Sequence, residues 1–185
     1  MSRYQGGRVI ALAHAILAFL VDCPRSGYEL AKNFDGSVGF FWKATHQQIY
    51  RELAKLEADG WIQSEAIAQT GRPDKKLFRV TELGQQQLMQ WMAEPCEPAA
   101  IKEDLLVKLF AGHLVPQSMM VQELERHRML HQERLATYKT IQQQFFPSPE
   151  VLSIAQKFQY LTLLKGIGYE TEYIAWCEQA IALLS

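Results

Sequence analysis

The chain has 185 residues, 48% of them apolar, enough to bury a core and too many for global disorder. Its longest apolar stretch, Val9 to Val21, is interrupted by His14 and falls short of the roughly 20 residues that a membrane span requires. Lysine plus arginine (19) nearly balance aspartate plus glutamate (20), and the three cysteines, Cys23, Cys96 and Cys177, contain no CxxC pair, which argues against a disulfide framework and a zinc site.

No apolar signal region follows Met1-Ser2-Arg3-Tyr4, so a reducing cytoplasm is the expected compartment, with no membrane partner. The first element is a helix from Arg8 to Val21, apolar on nearly every face and therefore buried. Pro24 blocks its continuation. Ser26-Gly27-Tyr28-Glu29 is a capping box and predicts a short helix to Phe34, ended by the turn residues Asp35-Gly36-Ser37. A second capping box, Thr45-His46-Gln47-Gln48, opens a helix to Asp59, in which Ile49, Leu53 and Leu56 form one inward stripe. Gly60 supplies the left-handed stop. Trp61–Ile67 and Leu77–Val80 read as strands joined by a charged turn, Thr70 to Lys76, and Thr81 caps a further helix, Glu82 to Ala93.

Residues 1–94 thus form one expected domain, residues 95–101 a short linker containing Pro95 and Pro98, and residues 102–185 a second domain, wholly helical. Helices are expected over Glu103–His113, Pro116–Phe146 and Glu150–Leu184. In the long middle helix Val121, Leu124, Arg128, His131, Leu135, Tyr138, Gln142 and Phe145 follow 3-4 spacing, a heptad seam with polar interruptions. Arg128 and His131 are costly if fully buried alone, so they are expected at the edge of the seam or paired with acidic residues.

Three helices followed by a hairpin and a helix is the order of a winged helix-turn-helix. Its reading helix must expose its N-terminal end to reach base edges in the major groove. With the stripe turned inward, His46, Gln47, Arg51 and Lys55 lie outward or on the flanks of the Thr45–Asp59 helix. Glutamine can pair bidentately with adenine and arginine with guanine, while Tyr50 and the Thr45 hydroxyl have the reach for phosphate oxygens. Arg72, Lys75 and Lys76 place three cations within five residues, as a basic wing would. Bulk charge adds nothing, since residues 1–94 hold 11 Lys/Arg against 10 Asp/Glu. That balance keeps open a second reading, a winged protein-interaction module with no direct DNA readout.

Gly27-Tyr28-Glu29-Leu30, the run Gln48 to Gly60, and Phe78-Arg79-Val80-Thr81-Glu82-Leu83-Gly84 together resemble the PadR family of bacterial regulators, with Phe78 where tyrosine is usual. Lys102 to Phe110 and the helices after it are similar to the C-terminal domain of virulence-activator-type members. The resemblance spans nearly the whole chain. It implies a mainly α fold: a winged helix-turn-helix followed by an all-α dimerisation domain with long antiparallel helices. It also implies a homodimer, acting as a repressor, that sets two winged domains on a palindromic operator in double-stranded DNA. Tyr28, Tyr50 and the wing cations then take backbone-contact roles, and His46, Gln47 and Arg51 lie near bases.

Dimer contacts are expected from Val121, Leu124, Leu135, Tyr138 and Phe145 of the seam and from Phe158 and Trp176 of the last helix. The aromatic residues of that helix (Phe158, Tyr160, Tyr169, Tyr173, Trp176) have two readings, dimer packing or a pocket between the domains for a small aromatic effector. His127 and His131, one turn apart with Glu123 a turn earlier, have metal-site geometry, but the surrounding Gln, Glu and Arg favour a solvated polar face, and no metal or cofactor is expected. Cys177 beside Trp176 reads as core, and Cys96 between two prolines as exposed and open to oxidation. No glycine-rich phosphate loop or GxSxG elbow is present, so no enzyme is expected.

Overall fold

A computed structural model of the chain describes residues 9–35, 44–68, 75–98 and 102–185. The expected turn at Gly36-Ser37, the tip of the hairpin with Arg72, and the end of the linker at residues 99–101 lie outside the described residues. The chain divides into two compact units, Met1–Pro98 and Ala99–Ser185.

The first unit runs α1 (Val9–Val21), β1 (Arg25–Ser26), α2 (Gly27–Asp35), α3 (His46–Ala58), β2 (Ile62–Ile67), β3 (Lys75–Val80) and α4 (Glu82–Met92). α1 packs against α3, β3 and α4, which bury Ala13, Ile16, Leu17 and Leu20 on its several faces. Ala13, Ile16, Leu17 and Leu20 of α1 join Leu30, Ala31 and Phe34 of α2, the Ile49–Leu53–Leu56 stripe of α3, Ile62, Phe78, Val80 and Leu88 in one core. Ile49 and Leu56 are wholly buried, each a burial of about 2 kcal/mol. His14 is buried as well, its ring stacked on Trp91 of α4 at 4.5 Å between centroids.

The sheet is antiparallel in the order β1-β3-β2. β1, two residues long, is below the length at which alternation can be read, yet Arg25 and Ser26 pair with Phe78 and Leu77. The ladder between β2 and β3 runs from Ile62↔Val80 to Ile67↔Lys75. Lys75 and Lys76 therefore belong to β3 and not, as the sequence suggests, to the turn: continued backbone pairing carries the strand two residues further. Gly60, at φ 73°, ends α3 as expected. Thr81 caps α4 by accepting from Gly84 N at 3.1 Å. Gly84 packs on the backbone of Trp61, where a Cβ would stand 2.0 Å from the carbonyl oxygen.

The second unit runs α5 (Asp104–Phe110), a 3-10 turn (Gly112–Leu114), α6 (Gln117–Phe145), a 3-10 turn (Pro149–Val151) and α7 (Ile154–Leu184). α7 starts four residues later than expected, because Ser153 forms a capping box with Gln156 and the preceding Pro149 holds a separate turn. α6 and α7 are antiparallel: Gln117 reaches the Leu184 carbonyl, His131 meets Glu170, and Gln142 donates to Tyr160 Oη at 2.7 Å. Leu105, Leu124, Tyr173 and Cys177 form its core. The middle of the heptad seam is thereby filled from within the chain, while Phe145 at its end is exposed. Leu124, His131 and Tyr138 are buried, Val121, Arg128 and Leu135 half-buried. Of the two outcomes expected for His131, edge or acidic partner, the structure has the second: it is buried with its Nδ1 against the Glu170 carboxyl group.

Candidate nucleic-acid interface

Two capping boxes fix the start of the two helices on one side of the first unit. Ser26 N and Oγ donate to Glu29 Oε2 at 2.8 and 2.9 Å, and Glu29 N returns to Ser26 Oγ. Thr45 N donates to Gln48 Oε1 at 2.8 Å, and Gln48 N to Thr45 Oγ1 at 3.2 Å. In each box these local bonds satisfy the N-cap amide and the amide three residues on. They also engage the Thr45 hydroxyl, which lies 3.2 Å from Gln48 Oε1.

Thr45, His46, Gln47 and Arg51 are exposed, Lys55 is half-buried, and the opposite stripe is sealed in the core. Lys55 Nζ stands 3.6 Å from the buried Glu52 carboxylate of its own helix. Tyr28 at 67% exposure and Tyr50 at 49% are the large side chains of this side that no apolar core needs. Tyr50 rests on Gly27, at the first turn of α2. A groove of about 490 Å³ runs between α2, α3 and the sheet, lined by both tyrosines, Leu53, Phe78, Glu57, Lys75 and Lys76.

The wing lysines line that groove but carry partners. Lys75 Nζ is 2.8 Å from Glu29 Oε1 and Lys76 Nζ 2.8 Å from Glu57 Oε2. Lys76 also lies over the Phe78 ring, 5.1 Å from its centroid. The Lys75 bond, with those from Ser26, lowers the Glu29 pKa to about 2. Lys76 and then the Ser64 hydroxyl hold Glu57 below the usual carboxylate range. The sequence marks Glu29 as a helix cap and gives Glu57 no role, and it foretells neither lysine partner: Glu29 and Lys75 lie 46 positions apart, and nothing local pairs them.

In the second unit the residues with metal-site spacing have other partners. Glu123 accepts from Arg126 at 2.9 Å and Lys108 at 3.0 Å, and His131 faces Glu170. Among the described residues no three His, Cys, Asp or Glu side chains group for a metal. The aromatic residues of α7 separate into two sets. Tyr173 stacks on His131 at 3.7 Å, meets Trp176 edge-on and donates to Glu103, whereas Phe158 is 65% exposed. Phe145 of α6 is exposed too, at 58%. Cys177 is fully buried and Cys96 exposed. No helix among the described residues is long and apolar enough to cross a membrane.

Residues 16–90 match the model of the PadR-like family of transcriptional regulators, and residues 101–185 that of the virulence activator alpha C-terminal domain. The chain is 36% identical to a probable transcriptional regulator of Mycobacterium tuberculosis, Rv1176c, over 95% of this chain and 98% of that one. It is 28% identical to the negative transcriptional regulator PadR of Bacillus subtilis, over 94% and 97%. The structure of that PadR in complex with operator DNA superposes with a TM-score of 0.81, at 25% identity over 95% of this chain and 99% of that one. The same protein with p-coumaric acid gives 0.77, at 25% identity over 97% and 98%. The virulence activator AphA of Vibrio cholerae gives 0.76, at 27% identity over 94% and 97%.

Proposed function

The chain belongs to the PadR-like family of transcriptional regulators, and from that premise we propose that it is a sequence-specific DNA-binding regulator, acting as a homodimer on a palindromic operator. The observation that carries this reading is the N-terminal end of α3, where His46, Gln47 and Arg51 stand exposed above a fully buried stripe. Gln47 and Arg51 read base edges, with His46 beside them. Thr45, Tyr28, Tyr50, Lys55 and the wing cations Arg72, Lys75 and Lys76 fix the unit on the phosphate backbone.

Two copies are needed because two half-sites are read together, about one helical turn apart. The second unit supplies the dimer surface: Ile154, Phe158 and Leu161 follow 4-3 spacing on α7 and are exposed at 71%, 65% and 59%, and Phe145 of α6 is exposed at 58%. Val121, Leu135 and Trp176, each half-buried within one chain, extend that surface. Leu124 and Tyr138 support it from beneath, since they are buried against α7.

The action is repression, as the Bacillus subtilis relative is named, and a small phenolic acid is the effector class, as that relative's p-coumaric acid complex suggests. The protein works in the cytoplasm and needs no catalytic step. The test is a salt titration of binding to the region upstream of its own gene against random duplex of equal length. Preference for the upstream region, with log affinity falling steeply against log salt, supports the reading. Equal binding to both duplexes, or none, refutes it and leaves the winged protein-interaction module.

A further inference from the structure

We infer that Glu29 and Glu57 are specificity-determining residues: they occupy the wing lysines and so hold down the attraction of the winged unit for DNA of any sequence. The inference rests on the DNA-binding reading above and assigns a role to two acidic side chains on the binding side itself.

Each carboxylate is held by donors besides its lysine. Glu29 takes the backbone N–H and hydroxyl of Ser26, and Glu57 the hydroxyl of Ser64. They are therefore fixed positions, one on α2 and one on α3, each facing one lysine of β3 at 2.8 Å. Both pairs are substantially exposed, with side-chain exposures of 33–53%, and pairs of that kind add little to stability. Stability alone is thus a weak reason for two such pairs side by side. Their location supplies a better one, since Glu57, Lys75 and Lys76 line the same groove as Tyr28 and Tyr50.

Sequence-independent affinity for duplex comes from cations that replace condensed counterions on phosphates, with a slope of log affinity against log salt of about −0.9 per phosphate neutralised. A lysine facing a fixed carboxylate brings no net charge to that exchange. A phosphate must displace the carboxylate, which then remains a few ångströms away and repels it. Residues 1–94 hold only one more cationic than anionic side chain. Neutralising two wing lysines internally leaves the exposed end of α3 to supply a larger share of the binding energy, and that share depends on sequence.

The experiment uses the full chain, with fluorescence anisotropy on the upstream duplex and on a random duplex across a potassium chloride series. Glu57→Gln keeps an acceptor for Ser64 and frees Lys76. It should tighten random-duplex binding roughly tenfold at 0.1 M salt and steepen the slope by about 0.9 per protomer. Its preference for the upstream duplex should fall. Lys76→Ala should weaken both duplexes, and in the K76A background Glu57→Gln should no longer produce the roughly tenfold gain on random duplex that it gives when Lys76 is present. Glu29→Gln, which keeps an acceptor for Ser26 and so the helix cap, is the second, independent arm. Slopes and random-duplex affinities unchanged in both glutamine variants, in a protein that still prefers the upstream duplex, overturn the inference alone. Loss of that preference in the unsubstituted protein overturns the DNA reading and this inference with it.

Discussion

The ring of Tyr50 lies so close to the backbone of Gly27 that a Cβ at position 27 would stand 2.5 Å from Tyr50 Cε1. The first turn of α2 and the exposed face of α3 are thus built on each other, and the glycine is the space in which the tyrosine sits. Gly27→Ala displaces the ring rather than the backbone, because the ring is the movable partner. Binding to every duplex should weaken by about 1.5–3 kcal/mol, the worth of one hydrogen bond to a charged group, with operator preference unchanged. Anisotropy titrations on operator and random duplexes check both halves of that statement.

Arg51→Ala and Gln47→Ala should act in the opposite way. Each removes a side chain from the exposed face of α3 while leaving the Ile49–Leu53–Leu56 stripe untouched. Operator affinity should fall by about 1–3 kcal/mol per substitution, with far less change on random duplex. Equal losses on both duplexes would move these residues to the backbone-contacting group.

Gly84→Ala tests the first unit's packing. The new methyl has no room beside the Trp61 carbonyl, 2.0 Å away, and neither partner is a flexible side-chain end. The start of α4 must shift from the end of α3, costing about 3 kcal/mol. A thermal melt should show the loss, and DNA binding should fall only to the extent that folded protein is lost.

Phe158→Glu places a charge on an exposed apolar patch of α7 and should raise the monomer–dimer dissociation constant at least tenfold, about 1.4 kcal/mol or more. Sedimentation at micromolar concentration reads it directly. Leu124→Ala, inside the chain, should instead lower the melting temperature, since it empties a position with no exposure at all.

Stability should fall on mild acidification. Burial, and next the charge of Arg126, hold the His127 imidazole below its ordinary pKa of 6.5, against the pull of Glu123 and Glu103. The unfolded chain then takes up the proton first as pH drops. The stabilisation from the neutral ring is complete above about pH 6.5 and is lost as the pH falls through the lower folded value. His127→Gln should flatten the melting temperature between pH 7 and 5, roughly the interval in which the unperturbed ring titrates.

The helices of the first unit were legible because their determinants are local. A Ser or Thr with Glu or Gln three residues on names a start, a 3-4 stripe names a face, and Gly60 names a stop. What depends on distant partners was not legible. β1 is two residues that become a strand only because Phe78 and Leu77 are there to pair with them. The wing lysines look like free cations until Glu29 and Glu57 arrive from α2 and α3. Likewise the seam of α6 reads as a surface for another chain, yet its centre is filled by α7. His131 could be limited to an edge position or an acidic partner by the cost of burying charge, but Glu170, 39 residues on, could not be named.

The pairing of β1 with β3 also bears on how the protein is made. Residues 25 and 26 are tied to residues 77 and 78, and α1 is covered by α3, β3 and α4. A nascent chain leaving the ribosome therefore exposes the 13-residue apolar helix α1 before its partners and cannot complete its cover until Val80 and then Leu88 have emerged. At about 5–20 residues per second that is an interval of several seconds, during which the first helix is a substrate for whatever chaperone waits at the tunnel exit.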